Sequence, residues 1–197
     1  MKEKRMSRQS NQGRIRNIAK ISAYMALGVT LSLLETFLAP LGLVVPLPGA
    51  KIGLANIVTL VLLVTEKPWL LWVVTGGRIV MAALLTGTLF SVPFALSVGG
   101  GMAALLVMGF LWRWFRRVFS LVGISIIGAV AHNCGQLFTL WLLVPGTGFF
   151  YLLPWALLLA LPSGWLTGYL ARQIIARRPW EEWGEGGKSH DGSGRRD

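Results

Sequence analysis

The sequence predicts an all-α integral membrane protein with six transmembrane helices and both termini in the cytoplasm. Composition is the first reason. Of the 197 residues, 54% are hydrophobic and 14% are charged, whereas an average soluble domain is about 25% charged. Aromatic residues are the second reason, because they cluster near the ends of apolar runs, where amphipathic rings favour the headgroup region. A soluble fold could not bury this much apolar surface.

The net charge of +11 would suggest a nucleic-acid partner in a soluble protein. Here the basic residues lie in short polar stretches between apolar runs, where they set the topology and contact anionic lipid headgroups. No basic patch with exposed stacking aromatic residues is expected outside the spans. We therefore expect contact with the lipid bilayer and no nucleic-acid partner.

Apolar runs define the spans, because a helix that crosses about 30 Å of hydrocarbon needs about 20 mostly apolar residues. A further run, 52–65, has only 14 residues and follows three prolines, so by length alone it is a short span or a re-entrant turn. The expected spans are about 18–39, 52–65, 68–87, 91–112, 120–144 and 149–172.

Charge distribution favours six spans over five. With six spans, fourteen basic residues face the cytoplasm and Lys51 alone faces outward. With five, the groups at 113–117 and 172–178 would face outward, against the positive-inside rule. This topology gives a basic cytoplasmic segment at 1–17, a transmembrane domain at 18–175 and a disordered cytoplasmic tail at 179–197. The proline-rich segment 39–50 would lie outside, as a lid or as a structural plug.

Polar side chains within the spans are costly in hydrocarbon, so each needs a partner or a water-filled cavity. His132 and Gln136 are four residues apart and share a helix face, with Asn133 one step round toward the same side. We expect the polar side chains of the spans to converge on an outward-facing cavity with a modest positive charge. Such a cavity would bind a small molecule that is anionic or that has both polar and apolar parts. Alternatively, these residues only tie helices together. The predicted substrate-binding residues are Glu35, Lys51, Asn56, Arg78, His132, Asn133 and Gln136.

Catalytic motifs are missing from the sequence. It has no phosphate-binding loop of the G-x-x-x-x-G-K-[ST] type, and its two histidines cannot assemble a usual zinc site. Its only aspartates, Asp191 and Asp197, lie in the tail, whereas prenyl chemistry normally uses clustered aspartates to hold magnesium and diphosphate. We expect no enzymatic activity, no cofactor and no metal. The triplet 99–101 of glycines is expected to break the fourth span.

Three stretches carry a family resemblance: Lys51-Ile-Gly-Leu-Ala-Asn-Ile57, Gly77-Arg78 with Leu85-Thr-Gly-Thr88, and Gly128-Ala-Val-Ala-His-Asn-Cys-Gly-Gln136. They resemble the Gx transporter family, many members of which are labelled heptaprenyl diphosphate synthase component I. That family is similar to the substrate-binding S components of energy-coupling-factor transporters.

The resemblance implies an S-component-like bundle with an outward-facing pocket. It also implies a small-residue face, here Ala19, Ala23 and Ala26, that docks a transmembrane coupling protein driven by ATPase subunits. The leading hypothesis is therefore a binding subunit for uptake of a vitamin-like or isoprenoid ligand across a bacterial inner membrane. The rival is a non-catalytic membrane partner of a prenyl diphosphate synthase, and a third possibility is a purely structural membrane subunit.

Overall fold

Six helices form the part of the protein that the structure, a computed structural model, describes: residues 2–38, 53–144 and 151–177. Within these residues there is no strand, which confirms the predicted all-α class. Lys51, the segment 39–50 and the tail 179–197 lie outside the described residues. The helices are α1 (Lys2–Leu38), α2 (Ala55–Thr65), α3 (Pro68–Leu85), α4 (Val92–Phe115), α5 (Leu121–Leu143) and α6 (Leu153–Arg177).

Five of these helices are long and apolar enough to cross a membrane: Asn17–Phe37 within α1, and α3, α4, α5 and α6. Local signals explain several boundaries. Pro68 begins α3, where its missing N–H costs nothing. Ser120 caps α5 by accepting a hydrogen bond from the Gly123 N–H at 3.1 Å. Gly87, with a φ of 67°, follows the end of α3 in a conformation that glycine adopts without strain.

Helix α1 extends beyond the expected first span, and one expectation about α4 needs revision. The basic N-terminal segment is helical from Lys2 and continues directly into the first span, so α1 begins well before residue 18. The glycine triplet does not break the fourth span, because α4 runs without interruption from Val92 to Phe115. That prediction was wrong: intrahelical hydrogen bonds persist through the glycines, and the missing side chains serve packing instead.

Helices α4 and α5 pack closely and antiparallel. A side-chain carbon added at Gly99 would overlap Thr139 Oγ1, and one added at Gly128 would lie 2.5 Å from Met108 Cγ. The start of α4 therefore lies beside the end of α5. Glycine at these contacts allows the two backbones to approach closely, as in small-residue packing of membrane helices.

Helix α6 packs antiparallel to α5 in the same way. Carbons added at Gly164 and Gly168 would lie 2.6 Å from Ile126 Cα and 2.8 Å from Val122 Cα. Ser125 and Thr167 form a buried hydrogen bond of 2.9 Å across this interface. Hydroxyl pairs of this kind join helices where no water is available.

Helices α1 and α2 are also antiparallel. Lys20 Nζ forms an ion pair of 3.0 Å with Glu66 Oε1, just after the end of α2. Fifteen residues later in α1, the Glu35 carboxylate accepts a hydrogen bond from the Leu54 N–H, just before α2 begins. Because Lys67 and Pro68 follow Glu66 directly, α3 starts at the Glu66 end and runs parallel to α1.

These orientations collect the charged helix ends at one end of the bundle, here called the basic end. The opposite end carries no described lysine or arginine. The described basic residues of the spans and turns at the basic end are Lys20, Lys67, Arg113, Arg116, Arg117, Arg172 and Arg177.

The short helix α2 lies inside the bundle, where it contacts α1, α3, α4 and α6. Seven of its eleven residues are buried. Ile57, Leu60 and Val61 form one core with Met108 and Ala171, which lie in the basic-end halves of α4 and α6. Eleven helical residues extend only about 16 Å, so α2 fills about half the thickness of a bilayer's hydrocarbon core. Packing by neighbouring helices explains how so short an apolar helix is accommodated.

Candidate functional site

Arg78 is the central charged residue of the predicted site. It lies on α3, is 7% exposed, and donates a hydrogen bond from Nη1 to Ser32 Oγ of α1 at 3.3 Å. Its aliphatic part crosses α1 at Gly28, where an added side-chain carbon would lie 2.8 Å from Arg78 Cδ. Gly28 and Ser32 are one helical turn apart, so together they provide the space and the acceptor for a buried arginine.

Glu35, one further position along the same face of α1, is 4% exposed. Its carboxylate accepts the hydrogen bond from the Leu54 N–H and attracts Arg78 electrostatically. The first N–H groups of a helix have no partners within the helix. Glu35 therefore caps α2 from another helix and partly balances the charge of Arg78. The structure thus brings together two of the predicted site residues, Glu35 and Arg78.

Unpaired donors remain on α3. Arg78 Nε and Thr75 Oγ1 are buried and have no hydrogen-bond partner among the described residues. Thr75 lies three residues before Arg78, so the two share a helix face. A buried donor without an acceptor costs about 1–3 kcal/mol. An acceptor supplied from outside the described residues would remove this cost.

His132 and Gln136 share a face of α5, as predicted, and both face Gly100 of α4. A side-chain carbon at Gly100 would lie 2.6 Å from Gln136 Cγ and 3.0 Å from His132 Nε2. Gln136 is 5% exposed and its Nε2 has no described partner. Glycine in α4 is what admits these two larger polar side chains between the helices.

Asn133 contacts a different helix. Its Nδ2 donates a hydrogen bond of 2.6 Å to the Ala156 carbonyl of α6. The expectation that it turns toward the same side as His132 and Gln136 is not what the structure shows. A step of one residue turns a helix by about 100°, so Asn133 joins α5 to α6 instead.

Asn56 lies half-buried in the first turn of α2. Its Nδ2 would lie 3.5 Å from a side-chain carbon at Gly53, which also lies near Thr167 of α6. Gly53 has a φ of 82°, a conformation that glycine adopts readily. Asn56 therefore lies at the N-terminal end of α2, close to the contact of Gly53 with α6.

The described contacts place the predicted residues in two groups. One comprises Glu35 and Arg78 between α1, α2 and α3, and the other comprises His132 and Gln136 between α4 and α5. The groups are joined through Ile79, whose Cδ1 would lie 2.8 Å from a side-chain carbon at Gly101. Ile79 follows Arg78, and Gly101 follows the glycine that Gln136 contacts. Lys51, the remaining predicted residue, lies outside the described residues.

The predicted docking residues Ala19, Ala23 and Ala26 are all exposed on α1. Across the part of the chain that is described, no group of three His, Cys, Asp or Glu residues could hold a metal ion.

Sequence reasoning missed several residues of these groups. Ser32 was not among the predicted residues, although its position three before Glu35 places it on the same face. Thr75 could have been found in the same way, three residues before Arg78. The Leu54 N–H could not have been found, because every residue except proline carries that donor.

The comparisons with known proteins give one match. A family model described as heptaprenyl diphosphate synthase component I matches residues 24–174. No curated protein and no solved structure matches the chain. The matched range runs from within α1 to near the end of α6 and includes both polar groups. The chain therefore belongs to the heptaprenyl diphosphate synthase component I family.

Proposed function

We propose that this protein is the membrane-embedded substrate-binding subunit of a small-molecule uptake transporter, similar to the S components of energy-coupling-factor transporters. It binds a vitamin-like or isoprenoid ligand with an anionic group. The basic end faces the cytoplasm of a bacterial cell, as the positive-inside rule expects, and six spans place both termini there. The ligand then enters from the opposite, outer end.

The half-length of α2 is the observation that carries this proposal. Because α2 extends only about half as far as the hydrocarbon core is thick, we place the ligand beyond its N-terminus, at the end of the bundle opposite the basic end. Glu35 accepts the Leu54 N–H just before α2, and Asn56 lies in the first turn of α2, so both polar side chains lie at this end of the helix. The arrangement matches the usual form of a small-molecule site, with apolar walls and a few convergent polar groups.

The unpaired donors indicate what the ligand carries. Arg78 Nε and Gln136 Nε2 are buried donors that lack described acceptors. Carboxylate or phosphate oxygens would satisfy either donor, and a charge-assisted hydrogen bond to arginine is stronger than a neutral one. Because Glu35 already offsets part of the charge of Arg78, a single anionic group is favoured over a multiply charged one.

Transport requires partners, because the sequence contains no ATP-binding loop of the P-loop type. A coupling protein with ATPase subunits would dock on the exposed small residues of α1, Ala19, Ala23 and Ala26. Small residues at this spacing permit close helix contact.

Ligand binding tests the proposal directly. The protein would be purified in lipid nanodiscs and screened by thermal shift and isothermal titration against carboxylated and phosphorylated vitamins and short isoprenoid phosphates. A binder should lose at least about tenfold in affinity in Arg78→Gln and in Gln136→Leu, since each loses a hydrogen bond worth about 1.5 kcal/mol or more.

Asn133→Leu is the matched control, because it removes an amide from the same helix but on the side that faces α6. It should leave affinity within about twofold. Equal losses in Gln136→Leu and Asn133→Leu would show that the effect is structural. The absence of any saturable ligand in the folded protein would contradict the binding function.

The alternative is a non-catalytic membrane component of heptaprenyl diphosphate synthase, and the description of the matching family favours it. Under this alternative, the protein forms a stable complex with a soluble, aspartate-rich synthase subunit and changes its rate or product length. Reconstitution of both in nanodiscs with isotope-labelled isopentenyl diphosphate distinguishes the two proposals. Unchanged products together with a saturable vitamin-like ligand would support the transporter subunit.

A further inference from the structure

The turn between α4 and α5 is short and well ordered. The N–H groups of Val118 and Phe119 both donate to the Phe115 carbonyl, at 2.9 and 3.0 Å. Ser120 then caps α5. This backbone holds the side chains of 113–119 outward, and all seven are exposed.

Three of these side chains are arginines: Arg113, Arg116 and Arg117. Of the acidic side chains that the structure describes, only Glu66 lies at the basic end, and it pairs with Lys20. The arginines therefore have no described ionic partner. Exposed cations without internal partners are available to an anion from outside the protein.

Aromatic rings lie beside these cations. Phe115 has ring centroids at 5.9 Å from Phe110 and 6.4 Å from Phe119, and Arg113 lies 5.8 Å from the Trp114 ring. Trp114 is 71% exposed. Arginines and exposed aromatic rings therefore occur together where α4 ends and the turn begins.

We propose that the α4–α5 turn is a binding site for an anionic phospholipid. Arg116 and Arg117 contact the phosphate, while Phe110, Phe115 and Phe119 line the path of an acyl chain. The position supports a lipid over a soluble anion. The turn lies at the end of two membrane-spanning helices, where aromatic rings favour the headgroup region and each basic residue adds attraction to an anionic surface.

A specific lipid site depends on particular arginines, whereas general charge attraction depends only on how many basic residues lie at the membrane surface. The probe is phosphatidylglycerol in nanodiscs, compared with phosphatidylcholine of the same acyl chains, and retained lipids are counted by native mass spectrometry. We expect selective retention of phosphatidylglycerol. The double variant Arg116→Gln/Arg117→Gln should lower its affinity by at least about tenfold, because both arginines lose charge-assisted hydrogen bonds to the phosphate.

The control is Arg172→Gln/Arg177→Gln, which removes the same charge from the same end of the bundle but not from the aromatic turn. It should change affinity by less than about threefold. Equal losses in both double variants, or equal retention of the two lipids, would overturn the site. So would preferential retention of a prenyl diphosphate when it is supplied at the same mole fraction.

All four arginines are exposed, so an unchanged thermal midpoint should accompany each double variant. Phe115→Leu with Phe119→Leu provides an independent test, because it removes the rings and keeps every charge. It should lower the number of lipids that the protein retains without changing its preference for phosphatidylglycerol over phosphatidylcholine. Neither result depends on a transported ligand, so this site stands or fails separately from the proposed function.

Discussion

Helices α4, α5 and α6 differ from α1 in how they are held in the bundle. In the first group, glycines meet the backbone or short side chains of the next helix, at Gly99, Gly135, Gly164 and Gly168. Helix α1, by contrast, has only 6% of its most apolar window buried. It is attached through polar contacts to α2 and α3, from Glu35, Ser32 and Lys20.

The difference shows two ways to join helices in a solvent that provides no hydrophobic driving force between them. Close backbone contact gives many weak van der Waals attractions, which are lost if one side-chain carbon is added between the helices. Polar contacts give fewer interactions, each of which depends on a specific partner. The glycine-packed half should therefore be sensitive to added volume, and α1 to the loss of single polar partners.

The largest expected effect concerns the buried charges of the α1 side. Glu35→Gln or Arg78→Gln leaves one charge buried without its partner, and such changes cost about 3–5 kcal/mol. The double variant should be less destabilised than the sum of the single variants. Unfolding in sodium dodecyl sulfate, followed by circular dichroism, measures this coupling. Simple additivity would show that the two side chains do not interact.

The scaffold side is tested at Gly164. Its added carbon would meet the Ile126 backbone, which cannot move without moving α5. Gly164→Ala should therefore lower the free energy of unfolding by about 1–3 kcal/mol, as overpacking does. Gly76→Ala is the control, because nothing lies within 4 Å of its added carbon. Equal stability of the two variants would contradict the close packing of α5 and α6.

A smaller loss is expected where a glycine of α1 meets a side chain. In Gly28→Ala the new methyl group would displace Arg78 Cδ, at a cost of about 1 kcal/mol. Gly77→Ala would instead meet the Met25 Cε, at the end of a flexible side chain. We expect Gly28→Ala to weaken ligand affinity as well as stability, and Gly77→Ala to change neither greatly. Thermal midpoints and titration of the ligand separate these outcomes.

The smallest effect concerns the ion pair at the basic end. Lys20 and Glu66 have side-chain exposures of 49% and 18%, and exposed pairs contribute about 0.2–1 kcal/mol. Lys20→Gln should lower stability by no more than this, and the difference from the unmodified protein should shrink in 0.5 M salt. A larger loss that salt does not change would mean that α1 depends on this contact more than its exposure implies.

Much of the fold could be predicted from the sequence. A bilayer requires long apolar helices, and the charged stretches between the apolar runs mark where those helices end. The membrane-helical class and the family were both confirmed. The role of α2 could not be predicted, since fourteen apolar residues suit a short span and a re-entrant turn equally. Its burial among four other helices is a property of their arrangement.

Which polar residues the spans carry could be predicted more readily than how the structure groups them. Polar residues inside spans are conspicuous in any sequence, so Glu35, Arg78 and Gln136 were all identified. Their partners were not, because a hydrogen bond to the Leu54 N–H or to Ser32 Oγ requires knowledge of which helices are neighbours. Asn133 illustrates the limit, since a step of one position along α5 decides whether a side chain faces α4 or α6.

The sequence by itself determined that the chain is a membrane-helical protein, where its long helices lie and which polar residues they carry. Those properties follow from local chemistry, because each residue contributes its own transfer free energy to the bilayer. The tertiary structure alone decided that glycines hold α4 to α6 together, that α2 stops halfway, and that the arginines of the α4–α5 turn lie exposed beside aromatic rings. These depend on contacts between residues far apart in the chain and on the exposure that results, which no local pattern encodes.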